Sequence, residues 1–201
     1  RRWERMNNLS TGSSSTGFFA ITDSKEQTGR VLIMTSPVLH YLYHCKKDHM
    51  IQIPSMALAG VFGAGATGCV RKWSNTLTAT TGGSTTKIVI TTNINDYCIG
   101  EDVIFRTGSN AGQVRKVTNV IMNTAGGATI FLDSALPNVV ANTDTFQVSS
   151  GLFFVLNSGT LASGSFKTYD PMTGVVTTLP ITGLPATWGT DGRLISTSSE
   201  D

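Results

Sequence analysis

The sequence predicts a mainly β protein, and three observations lead to that prediction. Charged residues make up only 14% of the 201 residues, which is below the roughly 25% of an ordinary soluble domain. Thr and Ser, with 29 and 19 residues, fill much of the gap, and β-branched Thr suits a pleated, half-exposed surface. The 21 glycines fit a chain with many tight turns, and the long runs of Ala, Leu, Glu and Lys that favour helices are missing.

The bulk charge and hydrophobicity exclude two classes of partner. The formal net charge is +2, and the basic pairs Arg71-Lys72 and Arg115-Lys116 are isolated, which is typical of solvated surface. No run of 18 or more apolar residues occurs, so we expect neither a nucleic-acid partner nor a membrane span. The first residues, Arg1 to Glu4, are not a signal peptide, and the missing initiator Met indicates a processed or partial product.

The three cysteines, Cys45, Cys69 and Cys98, do not form a disulfide pattern. Their number is odd and their spacing is irregular, whereas a disulfide framework uses an even set. We therefore expect reduced, structural thiols.

An internal repeat organises the chain. Residues 43–63 align without a gap with residues 169–189, at an offset of 126. Both copies contain a Tyr, then an aliphatic residue followed by Pro, then a Leu, then an aromatic residue followed by Gly. A short apolar run precedes each copy, at Val31–Met34 and at Leu152–Val155, and each run reads as a buried strand. The repeat unit is therefore three strands, with a turn at Asp170–Gly174 in the second copy.

The spacing of the repeats predicts propeller-like antiparallel blades. Partial copies lie at residues 3–6 and 192–195, and the first is 47 residues before the equivalent strand at Met50–Ile53. This period is in the range of propeller repeats. The segment FKTYDPMTGVVTTLP, residues 166–180, resembles a Kelch blade hairpin, with Val176 where that family prefers Trp.

A separate β module is predicted between the two repeats. We predict a first part of the blade region at residues 1–70, an inserted module at 71–149, and a second part of the blade region at 150–201. Five short strands fall in the inserted module, and such close spacing favours a small barrel or sandwich. They are expected at residues 87–92, 102–106, 113–117, 128–133 and 144–148.

The inserted module resembles a β module of structural proteins of tailed bacteriophages. The resemblance rests on the run GSNAGQVRKV, residues 108–117, followed by ATIFLDSALPNVVANTDTFQV, residues 128–148. Those modules contain an Ala-Gly-Gln-x-Arg core, a following strand, a Pro-containing loop and an Asp-x-Phe ending. The flanking segments at residues 51–68 and 181–194 are similar to the same class of virion protein. The resemblance implies a role in the particle, in the tail or the head-to-tail region, and supplies no catalytic site.

Two motifs are of the kind that can bind a cofactor or a metal, but ordinary structural roles are favoured for both. The run at residues 63–68 matches G-x-G-x-x-G, but a dinucleotide site also needs a following helix and an acidic residue about 20 positions on, and neither is expected here. His40, His44, Cys45 and His49 lie close together. On a strand His40 and His44 share one face and would need a further ligand from elsewhere, so a surface hairpin is favoured and no cofactor or metal is predicted.

Carboxylates are few, and most fall in predicted turns, where Asp bonds to nearby backbone amides. A glycosidase needs two carboxylates on facing walls of a cleft, and no such pair stands out in the sequence. The G-x-S-x-G motif of a serine nucleophile is also missing from the sequence. We therefore predict that the chain is not an enzyme. The acidic residues considered were Asp23, Glu26, Asp48, Glu101, Asp102, Asp133, Asp144, Asp170 and Asp191.

The function predicted from the sequence is a non-enzymatic structural component of a tailed-phage particle, located in the virion. Its expected partners are other virion proteins and copies of itself, joined through sheet edges and aromatic contacts. The alternatives are a carbohydrate- or receptor-binding module of a phage tail, which would contact a host-surface glycan through Trp73 and Tyr97, and a glycan hydrolase. The aromatic residues predicted to make contacts are Trp3, Phe62, Trp73, Tyr97, Phe153, Phe154 and Trp188.

Overall fold

Hydrogen-bonded strands account for nearly all regular structure in the part of the chain that the structure describes. The structure is a computed structural model, and it describes residues 19–22, 29–36, 39–45, 47–53, 67–156, 159–160, 166–180, 182 and 187–188. Within these ranges the chain forms sixteen β-strands and a single short 3-10 helix at Asp96–Cys98. The mainly β prediction is confirmed.

The first sheet is a four-stranded antiparallel meander in the order β1-β2-β3-β4. Leu32 of β2 lies opposite Leu42 of β3, and both side chains are fully buried. The neighbouring residues Tyr41 and Tyr43 alternate to the other face and are half-buried, as the two-residue period of a strand requires. The strands are Phe19–Thr22 (β1), Arg30–Ser36 (β2), Leu39–His44 (β3) and His49–Ile53 (β4).

The second sheet also has four strands, in the order β5-β12-β14-β15. Its last three strands follow one another along the sheet, and the outer strand β5 lies next to the first of them, as β1 does beside β2. A four-residue turn joins β14 to β15, and Gly174 ends it with a φ of +70°, a conformation that glycine adopts at little cost. The strands are Thr67–Arg71 (β5), Leu152–Leu156 (β12), Phe166–Asp170 (β14) and Val175–Thr178 (β15).

The sequence repeat therefore corresponds to a repeat of sheet structure. Tyr43 lies in β3 and its counterpart Tyr169 lies in β14, each in the third strand of its sheet. The predicted turn at Asp170–Gly174 is confirmed by the hydrogen bond from Gly174 N to Asp170 O at 2.8 Å. A further pair of two-residue strands, Gly159–Thr160 (β13) and Thr187–Trp188 (β16), forms a small antiparallel ladder.

The third sheet has six strands, and it forms a nearly closed barrel in the order β6-β11-β8-β9-β10-β7. Its two outer strands are connected where Thr80 N donates to Val89 O at 2.7 Å. All five strands predicted for the inserted module occur, and the short strand β6 completes the set. The strands are Leu77–Thr78 (β6), Lys87–Ile90 (β7), Asp102–Phe105 (β8), Val114–Met122 (β9), Ala128–Leu132 (β10) and Thr145–Val148 (β11).

The interior of the barrel is filled by alternate residues of its strands. Ile88 and Ile90 point inward from β7, while Ile130 does so from β10. Phe105 and Phe146 lie opposite each other on β8 and β11, with ring centroids 6.0 Å apart. Each such side chain contributes about 1.5–3 kcal/mol when it leaves water, so a core of this size accounts for a closed fold of short strands.

The chain divides into two compact units. The first comprises residues 1–70, 153–168 and 176–201, and the second comprises residues 71–152 and 169–175. The second unit contains the barrel, and its main segment begins at the residue predicted for the inserted module and ends three residues beyond the predicted end.

Candidate binding surface around Trp73

The structure separates the predicted contact aromatics into core residues and surface residues. Tyr97 and Phe153 are 7% and 0% exposed, so neither is available to a partner, and this corrects the expectation for both. Phe154 is half-buried and packs on Phe166 with ring centroids 6.3 Å apart. Trp73 is half-buried and stays a candidate. Trp3 and Phe62 lie outside the described residues, and for Trp188 only the backbone in β16 is described.

Tyr97 is buried because its 3-10 helix anchors the turn at residues 171–174 within the second unit. Asn95 caps this helix, since its Oδ1 accepts from Tyr97 N at 3.0 Å. The same Asn95 donates from Nδ2 to Pro171 O at 2.8 Å and from its backbone N to Met172 O at 3.0 Å. Tyr97 is therefore part of a structural contact and not of a binding surface.

Trp73 lies beside two cationic side chains. Lys72 Nζ is 4.8 Å from the centroid of the Trp73 ring, and Arg106 Cζ is 5.4 Å from it. Both distances are within the range in which the negative face of an indole attracts a cation. Trp73 immediately follows Lys72 in the chain, but Arg106 reaches it from the end of β8.

Hydrogen bonds hold the guanidinium of Arg106 in place. Arg106 Nε donates to Gln147 Oε1 at 2.7 Å, and Gln147 Nε2 donates in turn to Ser74 O at 2.8 Å. Gln147 is only 6% exposed, so this amide is fixed at both ends and cannot turn to solvent. Ser74 is itself tied to β11, where its N donates to Val148 O at 2.8 Å and its Oγ accepts from Val148 N at 3.1 Å.

The terminal nitrogens of Arg106 form no hydrogen bond with any residue that the structure describes. In the described part of the chain, the guanidinium makes its hydrogen bond through Nε and its contact with the Trp73 ring, and it forms no ion pair. The positions of the strands place a row of polar side chains next to it. Arg106, Thr145 and Thr78 follow one another across β8, β11 and β6 on the outer face, because the paired Phe105 and Phe146 point inward.

The residues of the phage-like run have structural roles in the barrel. Asn110 is fully buried, and it joins the loop after β8 to the Pro-containing loop, with Nδ2 donating to Asn138 O at 3.1 Å and Oδ1 accepting from Asn138 N at 3.2 Å. Arg115 donates from Nε and Nη2 to Ala135 O at 3.1 and 2.9 Å. In this chain, the run at residues 110–115 and the Pro-containing loop therefore hold each other in place.

Carboxylates in the second unit satisfy backbone amides. Asp144 Oδ2 accepts from Ala141 N at 2.9 Å, and Asp133 Oδ1 accepts from Lys116 N at 3.0 Å, which lowers the pKa of Asp133. Asp170 is fully buried and accepts from Asn75 N and Met172 N, both at 3.0 Å. Burial raises the pKa of Asp170, against the opposing effect of these hydrogen bonds.

The two cofactor-like motifs are placed as follows. Residues 63–66 of the Gly-rich run lie outside the described residues, but the run leads into strand β5 and not into the helix that a dinucleotide site needs. In the histidine segment, His44 is 1% exposed and Cys45 lies on the surface, whereas the side chain of His40 is not described. Among the residues that the structure places, no group of three or more His, Cys, Asp or Glu side chains could hold a metal ion.

The described ranges also contain no helix of the length and apolar character needed to cross a bilayer. No protein-family model, curated protein or solved structure matches the chain.

Sequence reasoning selected Trp73 but missed Arg106 and Gln147. The only local signal was the cation next to the indole at Lys72-Trp73. Arg106 is 33 residues further on, and its proximity to Trp73 depends on the order of β6, β11 and β8, which the alternation of single strands does not reveal.

Proposed function

We propose that this chain is a non-enzymatic structural component of a tailed-phage particle, located in the tail or the head-to-tail region. In this proposal it assembles with copies of itself and with other virion proteins, and the barrel is a module inserted into a propeller-like blade region. The resemblance of residues 108–148 to a β module of tailed-phage structural proteins supports the setting.

The single observation that carries the proposal is the common plan of the two four-stranded sheets. In each, three strands lie side by side in chain order and one outer strand lies next to the first of them, β1-β2-β3-β4 and β5-β12-β14-β15. Four-stranded sheets of this kind are the blades of propellers, which typically need four to eight blades to close. The two sheets of this kind among the described residues are fewer than a ring needs, so in this proposal the remaining blades come from other subunits or from a longer protein of which this chain is a fragment.

The outer strand β15 supports assembly through sheet edges. Its residues, Val175–Thr178, carry no charge, and Val175 is 46% exposed. Among the described strands, β15 is paired with β14 alone. An exposed edge without Lys, Glu or Pro lacks the residues that natural proteins use to prevent pairing with another strand.

The experiment that tests the proposal is the mass of the purified chain in solution, measured by light scattering on a sizing column over a range of concentrations. We expect a defined ring-sized oligomer, or concentration-dependent association, and not a monomer of 21.4 kDa. Thr177→Lys, which places a charge on β15, should shift the population towards the monomer. Thr124→Lys adds the same charge in the exposed turn between β9 and β10 and should leave the mass unchanged.

A clean monomer at every concentration would contradict the assembly proposal. Equal masses for the wild type and the Thr177→Lys variant, in the presence of an oligomer, would instead exclude β15 as the contact edge.

A further inference from the structure

We infer that the outer face of the barrel around Trp73 and Arg106 binds a carboxylate-bearing saccharide. This site is named the Trp73 site and consists of Lys72, Trp73, Arg106, Thr145 and Thr78. The inference does not depend on assembly, because all five residues belong to the second unit.

The first argument is the fixed orientation of the Arg106 guanidinium. Its Nε is held by Gln147, which is itself held by Ser74 O, and its carbon atom lies 5.4 Å from the Trp73 ring centroid. The terminal nitrogens therefore form a preformed fork for an anion, since little side-chain freedom is left to lose on binding. A planar carboxylate matches that fork with two parallel hydrogen bonds.

The second argument is charge. Lys72 and Arg106 bring two positive charges to a single indole, at 4.8 and 5.4 Å from its centroid. No described carboxylate forms an ion pair with Arg106. The guanidinium of Arg106 therefore attracts an anion from outside the chain, because its charge has no carboxylate partner among the described residues.

The third argument is the combination of an aromatic ring with hydroxyl groups. The exposed part of the half-buried Trp73 offers apolar surface on which the C–H groups of a sugar ring can pack. Thr145 and the exposed Thr78 lie next to Arg106 on the outer face. The hydroxyl of Thr107, 2.9 Å from that of Thr145, extends the polar row. Together, the guanidinium, the ring and the hydroxyl groups match the carboxylate, the ring face and the hydroxyl groups of an acidic sugar.

Nucleic acid fits these observations less well. A nucleic-acid surface neutralises several phosphates along a track, whereas the site contains two cations and the whole chain has a net charge of +2. A short saccharide with one carboxylate on each ring matches the small charge and the single aromatic ring.

The test is calorimetric titration of the full chain with tri-galacturonic acid, with maltotriose as the neutral probe and a ten-residue oligo-dT as the nucleic-acid probe. We expect binding of tri-galacturonic acid alone. Arg106→Lys keeps the charge but removes the fork, and it should weaken binding at least about tenfold, as the loss of a charge-assisted hydrogen bond predicts.

Two further variants separate a local site from general electrostatics. Gln147→Glu places a carboxylate at the position that accepts from Arg106 Nε and removes the amide that donates to Ser74 O. It should therefore both neutralise the guanidinium and loosen its anchor, and weaken binding as much as Arg106→Lys does. Lys87→Gln removes one positive charge from β7, outside the site, and should leave the affinity unchanged. Urea midpoints of all variants establish that each remains folded at the titration temperature.

Three outcomes would overturn the inference. They are the absence of heat with tri-galacturonic acid, binding that Arg106→Lys leaves intact in a folded variant, and binding of maltotriose or oligo-dT that equals that of tri-galacturonic acid.

Discussion

The side chain of Asn110 and the backbone of Asn138 are joined by a reciprocal pair of hydrogen bonds. Nδ2 donates to Asn138 O at 3.1 Å, and Oδ1 accepts from Asn138 N at 3.2 Å. One side chain thus satisfies both backbone groups of a residue 28 positions further along the chain. Because Asn110 is fully buried, water cannot replace either bond, and two loops of the barrel are held together at this point.

Asn110→Ala should therefore destabilise the barrel by about 2 kcal/mol, which combines two hydrogen bonds with the cost of unsatisfied backbone groups. The measurement is urea unfolding followed by tryptophan fluorescence. Asn119→Ala is the matched control, because Asn119 is exposed on β9 and its Oδ1 accepts only from the adjacent Val120 N. The control should change stability by less than about 0.5 kcal/mol. Equal effects would mean that the pair at Asn138 contributes nothing specific.

The turn between β9 and β10 offers a matched pair of glycines. Gly126 and Gly127 have φ angles of +94° and +81°, so Ala at either position has the same conformational strain. At position 127 an added Cβ would overlap the carbonyl oxygen of Ile90, whereas at position 126 the nearest atom is Asn93 Oδ1 at 3.9 Å. Gly127→Ala should lower the free energy of unfolding by at least about 2 kcal/mol more than Gly126→Ala. Chemical denaturation of the two variants measures the difference, and similar values would contradict the close contact with Ile90.

The buried carboxyl of Asp170 predicts an unusual pH dependence. Its pKa is raised by burial above the ordinary value of 3.8. In the window between the ordinary and the raised pKa the folded protein binds more protons than the unfolded chain, so this group's contribution to stability falls as the pH rises through the window. The Asp170→Asn variant should lack that slope. Denaturation curves at a series of pH values above 4, compared between wild type and variant, measure the difference.

The contribution of Asp133 to stability should change with pH in the opposite direction to that of Asp170. The hydrogen bond from Lys116 N lowers its pKa, so its contribution is present above the ordinary pKa and is lost as the pH falls through the lowered value. The free energy of unfolding of the Asp133→Asn variant should therefore decrease less than that of the wild type as the pH falls below the ordinary pKa. If both variants changed the profile in the same direction, the assignment for Asp170 would be incorrect.

The three cysteines should differ in reactivity with iodoacetamide. Cys45 is exposed, Cys98 is fully buried, and burial raises the pKa of Cys69 to about 11. Because the thiolate is the nucleophile, at pH 8 we expect fast labelling of Cys45, slow labelling of Cys69 and almost none of Cys98. Peptide mapping by mass spectrometry gives the three rates. In urea all three should react alike, and rapid native labelling of Cys98 would contradict its place in the barrel core.

Much of the local structure could be predicted from the sequence. The strands of the inserted module follow from alternation, which places Ile88 and Ile90 on one face of β7. The turn at Asp170–Gly174 follows from Pro and Gly at positions that require their backbone preferences. The repeat that aligns Tyr43 with Tyr169 predicted two similar sheets, because each copy of the repeat contains the same pattern of apolar strands.

The exposure of the aromatic residues could not be predicted in the same way. Trp73 and Tyr97 were equivalent candidates from their residue types. The Asn95 cap and the turn at residues 171–174 bury Tyr97, whereas Trp73 lies beside Arg106 on the outer face. Burial depends on what packs over a residue, and those neighbours are distant in the chain.

The sequence by itself thus determined the five strands predicted for the inserted module, the turn at Asp170–Gly174 and the repeat, because strand alternation and turn chemistry depend on residues a few positions apart. Only the tertiary structure decided that the hydrogen bond of Thr80 connects the outer strands of the barrel. It alone also decided that Gln147 links Arg106 to Ser74, which is 73 residues from Gln147 in the chain. The physical reason is the order of strands in the sheet, which is fixed by the packing of the whole core and by hydrogen bonds between distant segments.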